Sequence, residues 1–293
     1  MSLITTGLNA EKKQELRTRA LLLVLFCMWS PLNGAGQNKD GLKESVITAI
    51  EQRYYKELNR TELEKISLSE IIELLDKDSS LVEGQTPDLD YLRGFKNKPT
   101  VTAPQMVSSS AGYIVVHSFA KTTPRELKKA LKELKSRGAD RIIIDLRGNS
   151  GGDFQAAISS LRLFLPKGKE IATLLKRKSG EVYRSRNSEF YDFSGVVLVD
   201  SRTASSAELV AETLRNIKGY QVIGTETQGK RTVQELIPVR NKWLALTIGT
   251  WHAGQGNMNG RNGKVEDPRP LVPDFEIRDP LEQLKKASDV LSH

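Results

Sequence analysis

Residues 196–216 read VVLVDSRTASSAELVAETLRN, and this stretch decides the fold. VVLVD is a short, unbroken apolar run, as expected of a strand covered on both faces. LVAETLRNI at 209–217 has the spacing of an amphipathic helix. Between them lies TASSAE, a run of small residues with two adjacent hydroxyls at the junction. Serines at a helix start are usually caps, so the pair alone does not define a chemistry.

Working outward, the same alternation repeats on both sides. GYIVVHSF at 112–119 reads as a strand, with β-branched residues at Ile114, Val115 and Val116. TTPRELKKALKELKSRG reads as a helix: Thr122 or Thr123 at its start, Pro124 in the first turn and Gly138 at its exit. RIIIDL at 141–146 is another buried strand, GNSGGD a loop and FQAAISSLRLFL a helix. YQVIG at 220–224 closes a further strand–helix–strand unit. Two such units predict an α/β layer with at least partly parallel strands. TVQELIPV and KWLALTIGTW then read as a β pair joined through Arg240 and Asn241, and RPLVPDFEI as an extended segment with an edge strand.

Upstream, residues 41–77 carry helical periodicity, with Leu42, Val46, Ile47, Ile50 and Tyr54 on one face. Ser67 lies three residues before Glu70, the capping-box spacing. Residues 78–110 lose the pattern and read as a linker or irregular arm. Residues 11–19 are charged and end basic, and ALLLVLFCMW at 20–29 is apolar throughout. A polar, small-residue exit follows near Asn33-Gly34-Ala35. That order predicts a secretory signal over 1–35, with a retained membrane anchor as the rival. Cys27 lies inside the apolar run, a poor place for lipid attachment, and reads as a small hydrophobe. The expected organisation is therefore a signal or anchor at 1–35, a helical region at 36–80, a linker at 81–111, a core at 112–279 and a tail at 280–293.

Composition narrows the chemistry. The formal charge is +8 over 293 residues. The basic residues are dispersed and interleaved with glutamates, as in RELKKALKELKSRGADR at 125–141, which is a solvated helix face and predicts no nucleic-acid partner. One cysteine excludes an internal disulfide. With only His117, His252 and His293 for imidazole ligands, no metal site is expected.

In open α/β sheets, sites form where strands end and helices begin. Two such loops stand out: DLRGNSGG at 145–152, with Gly148, Gly151 and Gly152, and TASSAE. The first also fits a tight strand-to-helix turn, and it lacks phosphate-loop spacing. A serine nucleophile needs a base. The candidates are His252 in WHAGQG, His117 next to Ser118, and Lys230 in GTETQGKRTVQELIP, just past a strand end and beside Gly229.

Taken together, these segments resemble the core of the carboxyl-terminal processing, or tail-specific, proteases, which are serine peptidases with a Ser–Lys dyad. The resemblance covers residues 112–277 and runs in family order: GYIVVHSF, DLRGNSGGDFQAAI, VVLVDSRTASSAELVAETLRN, VIGTETQGKRTVQ and the P-D motif in LVPDFEI. It implies a ClpP/crotonase-like α/β core with a mixed sheet, preceded here by the helical arm. It also implies Ser205 as nucleophile, Lys230 as general base and Gln234 as the residue that orients it. Oxyanion donors would come from Ser206 and from the Gly151-Gly152 turn. The implied activity is endopeptidase cleavage of exported proteins or peptides, without a cofactor. The implied location is the periplasm, the cell envelope or the exterior, with membrane association through residues 20–29 left open. Only about thirty residues separate Leu81 from Ala111, too few for the PDZ domain that most members insert there. Compact relatives resembling the nisin-resistance proteases carry a similar run and use histidine, which keeps His117 as an alternative base. Non-catalytic ligand-binding modules resembling the interphotoreceptor retinoid-binding repeats share the fold and keep a binding role open. The helical arm could cover a cleft or make homodimer contacts; the sequence does not choose.

Overall fold

The computed structural model describes residues 39–82, 99–254 and 269–292. The expected signal at 1–35, with its apolar run and Cys27, lies outside these residues, as does most of the 81–111 linker. Among the described residues no helix is long and apolar enough to cross a membrane.

The polypeptide forms α1 (Lys39–Arg53), α2 (Arg60–Leu63), α3 (Leu68–Glu73), β1 (Ser80–Val82), β2 (Gln105–Met106) and β3 (Ala111–Val115). Next come α4 (Thr123–Ser136), β4 (Arg141–Asp145), α5 (Phe154–Leu161), β5 (Glu170–Lys176) and β6 (Ser179–Arg184). β7 (Ser194–Val199), α6 (Ser206–Lys218) and β8 (Gln221–Gly224) follow, then β9 (Thr232–Val239), β10 (Lys242–Ala253), β11 (Phe275–Glu276) and α7 (Pro280–Ser292).

One sheet has the order β11-β8-β7-β4-β3-β2. Its strands run parallel except β2, which pairs antiparallel with β3. This is the mixed α/β layer that the repeated strand–helix pattern predicts. Side-chain alternation explains the all-apolar strands. In β4, Ile142 and Ile144 enter one core cluster with Leu131 and Leu134 of α4, while Ile143 points to the other face. In β7, Val197 and Val199 share the first face, and Val196 and Leu198 the second. A strand buried on both faces has no polar side to show.

The second face is covered by α7, through Ala287 and Leu291. The sequence reading left residues 280–293 as a tail. The spacing of Leu284, Ala287 and Leu291 is helical, and the sheet face beneath it supplies the apolar surface that keeps so short a helix ordered. The edge strand expected in RPLVPDFEI is β11, paired with β8.

The other sheet is antiparallel. β10 pairs with β9 on one edge; on the other, its residues 243–245 meet β1 and residues 250–253 meet β5, which pairs with β6. The β9–β10 hairpin turns through Arg240, held at φ 58°. The N-terminal helices pack on this sheet, with Val46, Ile47, Ile50, Tyr54 and Ile71 against Val239, Leu244 and Leu246. Two features escaped the sequence reading. The β5–β6 hairpin, exposed along β6, lacks the apolar alternation that marks a half-buried strand. His252, placed in a Gly-rich loop by its neighbours, lies inside β10 opposite Thr173.

Candidate active site

β4 and β7 are adjacent and parallel, so the loops that follow them emerge at the same end of the sheet. Asp200, at the end of β7, ties these loops together. Its Oδ1 accepts the N–H of Gly148 (2.9 Å) and of Arg202 (2.9 Å). Burial works to raise its carboxyl, but the Gly148 N–H and the Arg202 side chain and N–H outweigh it. The net result lies below the usual aspartate range. Thr203 completes the clamp, its hydroxyl donating to the Leu146 carbonyl (3.0 Å).

The chain then enters α6 through Ser205, at φ 54° and ψ −120°. Among the described residues only Ser205 and Arg240 are non-glycine residues with positive φ. Such a conformation persists only where its surroundings over-determine it. Here the surroundings are a glycine and a glutamate. A side chain at Gly151 (φ 101°) would put its Cβ 2.8 Å from the Ala204 carbonyl oxygen and 3.0 Å from both Ser205 Cβ and Ser206 N. Only glycine permits that approach. Gly151 is pinned from behind: its N–H donates to Asn149 Oδ1 (2.8 Å), and its carbonyl accepts from Phe119 N–H (2.9 Å) and the Ser118 hydroxyl (3.1 Å). Ser206 donates its hydroxyl to the Gly152 carbonyl (3.0 Å). Among the described residues neither the Gly152 N–H nor the Ser206 N–H has an acceptor.

Glu208 holds the other side. It is 1% exposed, and its carboxylate accepts hydrogen bonds at both oxygens. Oε1 takes the Thr227 hydroxyl and the Gly229 N–H (2.6 Å). Oε2 takes the N–H of Ser205 (2.7 Å) and of Lys230 (2.9 Å). Burial pushes this carboxyl up from the usual range, and the donated hydrogen bonds pull against it. One oxygen atom thus joins the backbones of Ser205 and Lys230.

The Lys230 amine points elsewhere. Nζ lies 3.6 Å from Asp78 Oδ1, with its side chain about one-third exposed at 32%. Among the described residues no hydrogen bond links this amine to the Ser205 hydroxyl. Gln234 Nε2 faces the Thr247 hydroxyl at 3.5 Å, within the polar cluster around Asp76. His117 is exposed at the end of β3, two residues before Phe119, whose N–H meets the Gly151 carbonyl. The structure therefore gathers Ser205, Ser206, Gly151 and Gly152, and brings Lys230 alongside through its backbone. No cluster of three or more His, Cys, Asp or Glu among the described residues could hold a metal ion.

Residues 110–268 match the model of peptidase family S41. The chain belongs to that family. It is 34% identical over 173 residues to the carboxy-terminal processing protease CtpA of Bacillus subtilis, covering 58% of this chain and 37% of that one. It is 31% identical over 188 residues to a carboxyl-terminal-processing protease of Synechocystis, covering 62% and 44%. The chain thus spans less than half the length of these curated relatives. Among solved structures, a lipoprotein from Streptococcus agalactiae covers 89% of this chain and 99% of its own, at 16% identity and a TM-score of 0.64. The photosystem II D1 C-terminal processing protease aligns over 65% and 52%, at 20% identity and a TM-score of 0.52. These likenesses show that the α/β fold is that of the S41 peptidases.

Within this candidate site the sequence reading missed two residues. Glu208 carried a signal: Ser205 and Glu208 have the same S-x-x-E spacing that identified Ser67 and Glu70. The Glu70 box forms in full, Ser67 accepting the Glu70 N–H while Glu70 accepts the Ser67 N–H. Asp78 carried none, since it lies in the polar stretch read as linker.

Proposed function

We propose that this chain is a serine endopeptidase in which Ser205 attacks a peptide carbonyl and Lys230 serves as general base. The observation that carries this reading is the shared Glu208 oxygen. It joins the backbone of a serine at positive φ to that of the lysine, and so supports a working pair made from separate elements.

The neutral Lys230 amine takes the Ser205 hydroxyl proton as Oγ bonds to the carbonyl carbon. The carbonyl oxygen gains the negative charge. The N–H groups of Gly152 and Ser206 are available to stabilise it, each such donor being worth about 3–4 kcal/mol in comparable enzymes. The Gly151 N–H is already committed to Asn149, so its part is to let the turn approach Ser205. The ammonium then protonates the leaving amine, and an acyl-enzyme remains. Water, deprotonated by Lys230, releases the acyl group and restores Ser205. Gln234 restrains the Lys230 side of the site from β9. The substrates are polypeptides, and the sequence features at 1–35 favour exported ones.

A second reading keeps Ser205 and assigns the base to His117. The observation favouring it is that the Lys230 amine lies against Asp78 while His117 is exposed just past β3, two residues before Phe119, whose N–H meets the Gly151 carbonyl. Cleavage of casein, an unstructured polypeptide, by the purified protein separates the readings. Activity in wild type, lost in Ser205→Ala and Lys230→Ala and kept in His117→Ala, is the expected result. Loss in His117→Ala with retention in Lys230→Ala moves the base to histidine. Equal inactivity of wild type and Ser205→Ala on a broad substrate panel ends the peptidase proposal in favour of a binding role.

A further inference from the structure

Asp78 comes from the N-terminal arm, outside the residues that match the family. Its Oδ1 faces the Lys230 amine, and its Oδ2 accepts the Thr232 hydroxyl (2.6 Å). The segment that carries it is fixed on several sides. The Asp78 N–H donates to Asp76 Oδ1 (2.8 Å), which also accepts the Thr247 hydroxyl (3.0 Å). The Ser79 hydroxyl donates to Asp76 Oδ2 (3.1 Å), and its oxygen accepts the Thr247 N–H (3.0 Å). The Asp76 N–H donates to the Tyr54 hydroxyl (2.9 Å), and from Ser80 the chain pairs with β10. The carboxylate is built in, whereas lysine has a flexible stem.

Among the described residues, the charged groups next to this pair have other partners. Glu208, on α6, uses its carboxylate on backbone N–H groups, including that of Lys230 itself. Asp76 is engaged by Thr247, Ser79 and the Asp78 N–H. Arg231 turns away, 2.7 Å from Glu212 and over the Trp251 ring at 4.7 Å. Lys230 is therefore the cation opposite Asp78. A carboxylate pairs with an ammonium, and an ammonium has no lone pair with which to accept a serine proton.

We infer that Asp78 is a positioning residue that holds the Lys230 amine away from Ser205, and that proton transfer from Ser205 requires this pairing to be released. The inference rests on Lys230 being the base, and it makes the arm part of the site.

Trace acetylation with acetic anhydride, quantified lysine by lysine by mass spectrometry on the full chain, tests the pairing without any peptidase activity, because only the unprotonated amine reacts. In Asp78→Asn, which can still accept the Thr232 hydroxyl, Lys230 should acetylate about tenfold faster than in wild type. Asp78→Glu should stay near wild type, and exposed Lys169 should not change in either variant. Equal Lys230 rates in wild type and Asp78→Asn overturn the inference. Asp78→Ser provides the same comparison if Asp78→Asn does not fold. In parallel, labelling of Ser205 by a fluorophosphonate should be faster in Asp78→Asn than in wild type, and the ratio of the two rates should vary with pH, which a purely structural role would not produce. Acetylation that responds while Ser205 labelling does not overturns Lys230 as base and leaves the pairing standing. Labelling that persists in Ser205→Ala overturns the nucleophile instead.

Discussion

The two halves of the candidate site are built differently. On the Ser205 side, a serine at positive φ is wedged between Gly151 and a buried Glu208, and the polar groups that shape it are committed to short hydrogen bonds. On the Lys230 side, the backbone is anchored by the same Glu208, but the amine is about one-third exposed and sits 3.6 Å from Asp78. The first half is held rigidly; the second has a fixed base and an adjustable tip. A nucleophile and its oxyanion donors must keep their geometry through the reaction, since preorganisation is what gives them their effect. A base must exchange a proton and so must be able to change partners.

The largest way to break this contrast is Glu208→Ala. It leaves the Thr227 hydroxyl and the N–H groups of Ser205, Gly229 and Lys230 without their buried acceptor. Urea unfolding should show a loss of about 3–5 kcal/mol. A variant as stable as wild type would mean that the two halves are held together by something else.

Gly151→Ala should cost about 2–3 kcal/mol by the same measurement, from the strained φ and the contacts its Cβ would make. Casein cleavage should fall further than stability alone accounts for, because the added carbon pushes against Ser205 and Ser206. If activity and stability fall in step, the close approach is a packing feature only.

Asp200 sharpens the comparison through pH. Its folded value is lowered, so the ionised form is the one that the fold favours. That contribution is fully present above the unfolded aspartate value of about 3.9 and disappears as pH falls through the lower folded value. Asp200→Asn should therefore be less stable than wild type at neutral pH, and the gap should close in acid. A gap that does not change with pH would assign the loss to packing.

The smallest effect belongs to the adjustable side. Asp78→Asn should change stability by less than about 1 kcal/mol, because the pair is partly solvated and the amide oxygen of the variant can keep the hydrogen bond from Thr232. A large loss would place the Asp78–Lys230 pair among the rigid elements.

Much of the fold was legible because its signals are local. RIIID and VVLV are strands by their apolar runs, and Gly138 ends its helix because glycine accepts φ 90°. The helix at Pro280–Ser292 was legible in principle, since Leu284, Ala287 and Leu291 repeat at helical spacing. β6 was not, since an exposed strand without alternation looks like loop. At the site, the serine pair and the glycines could be located by their place between strand and helix. Glu208 could have been found by its spacing from Ser205, although that spacing gives no hint of its bonds to Thr227, Gly229 and Lys230.

The amino-acid order by itself determined the alternation of strands and helices and the strand-end position of Ser205. Each follows from residues close together in the chain, where periodicity and steric limits act. Only the tertiary structure decided that Asp78, 154 positions from the Thr232 it bonds, would face the Lys230 amine. That contact depends on β1 and β9 both being carried by β10, and a pairing set by sheet closure leaves no mark in the local sequence of either partner.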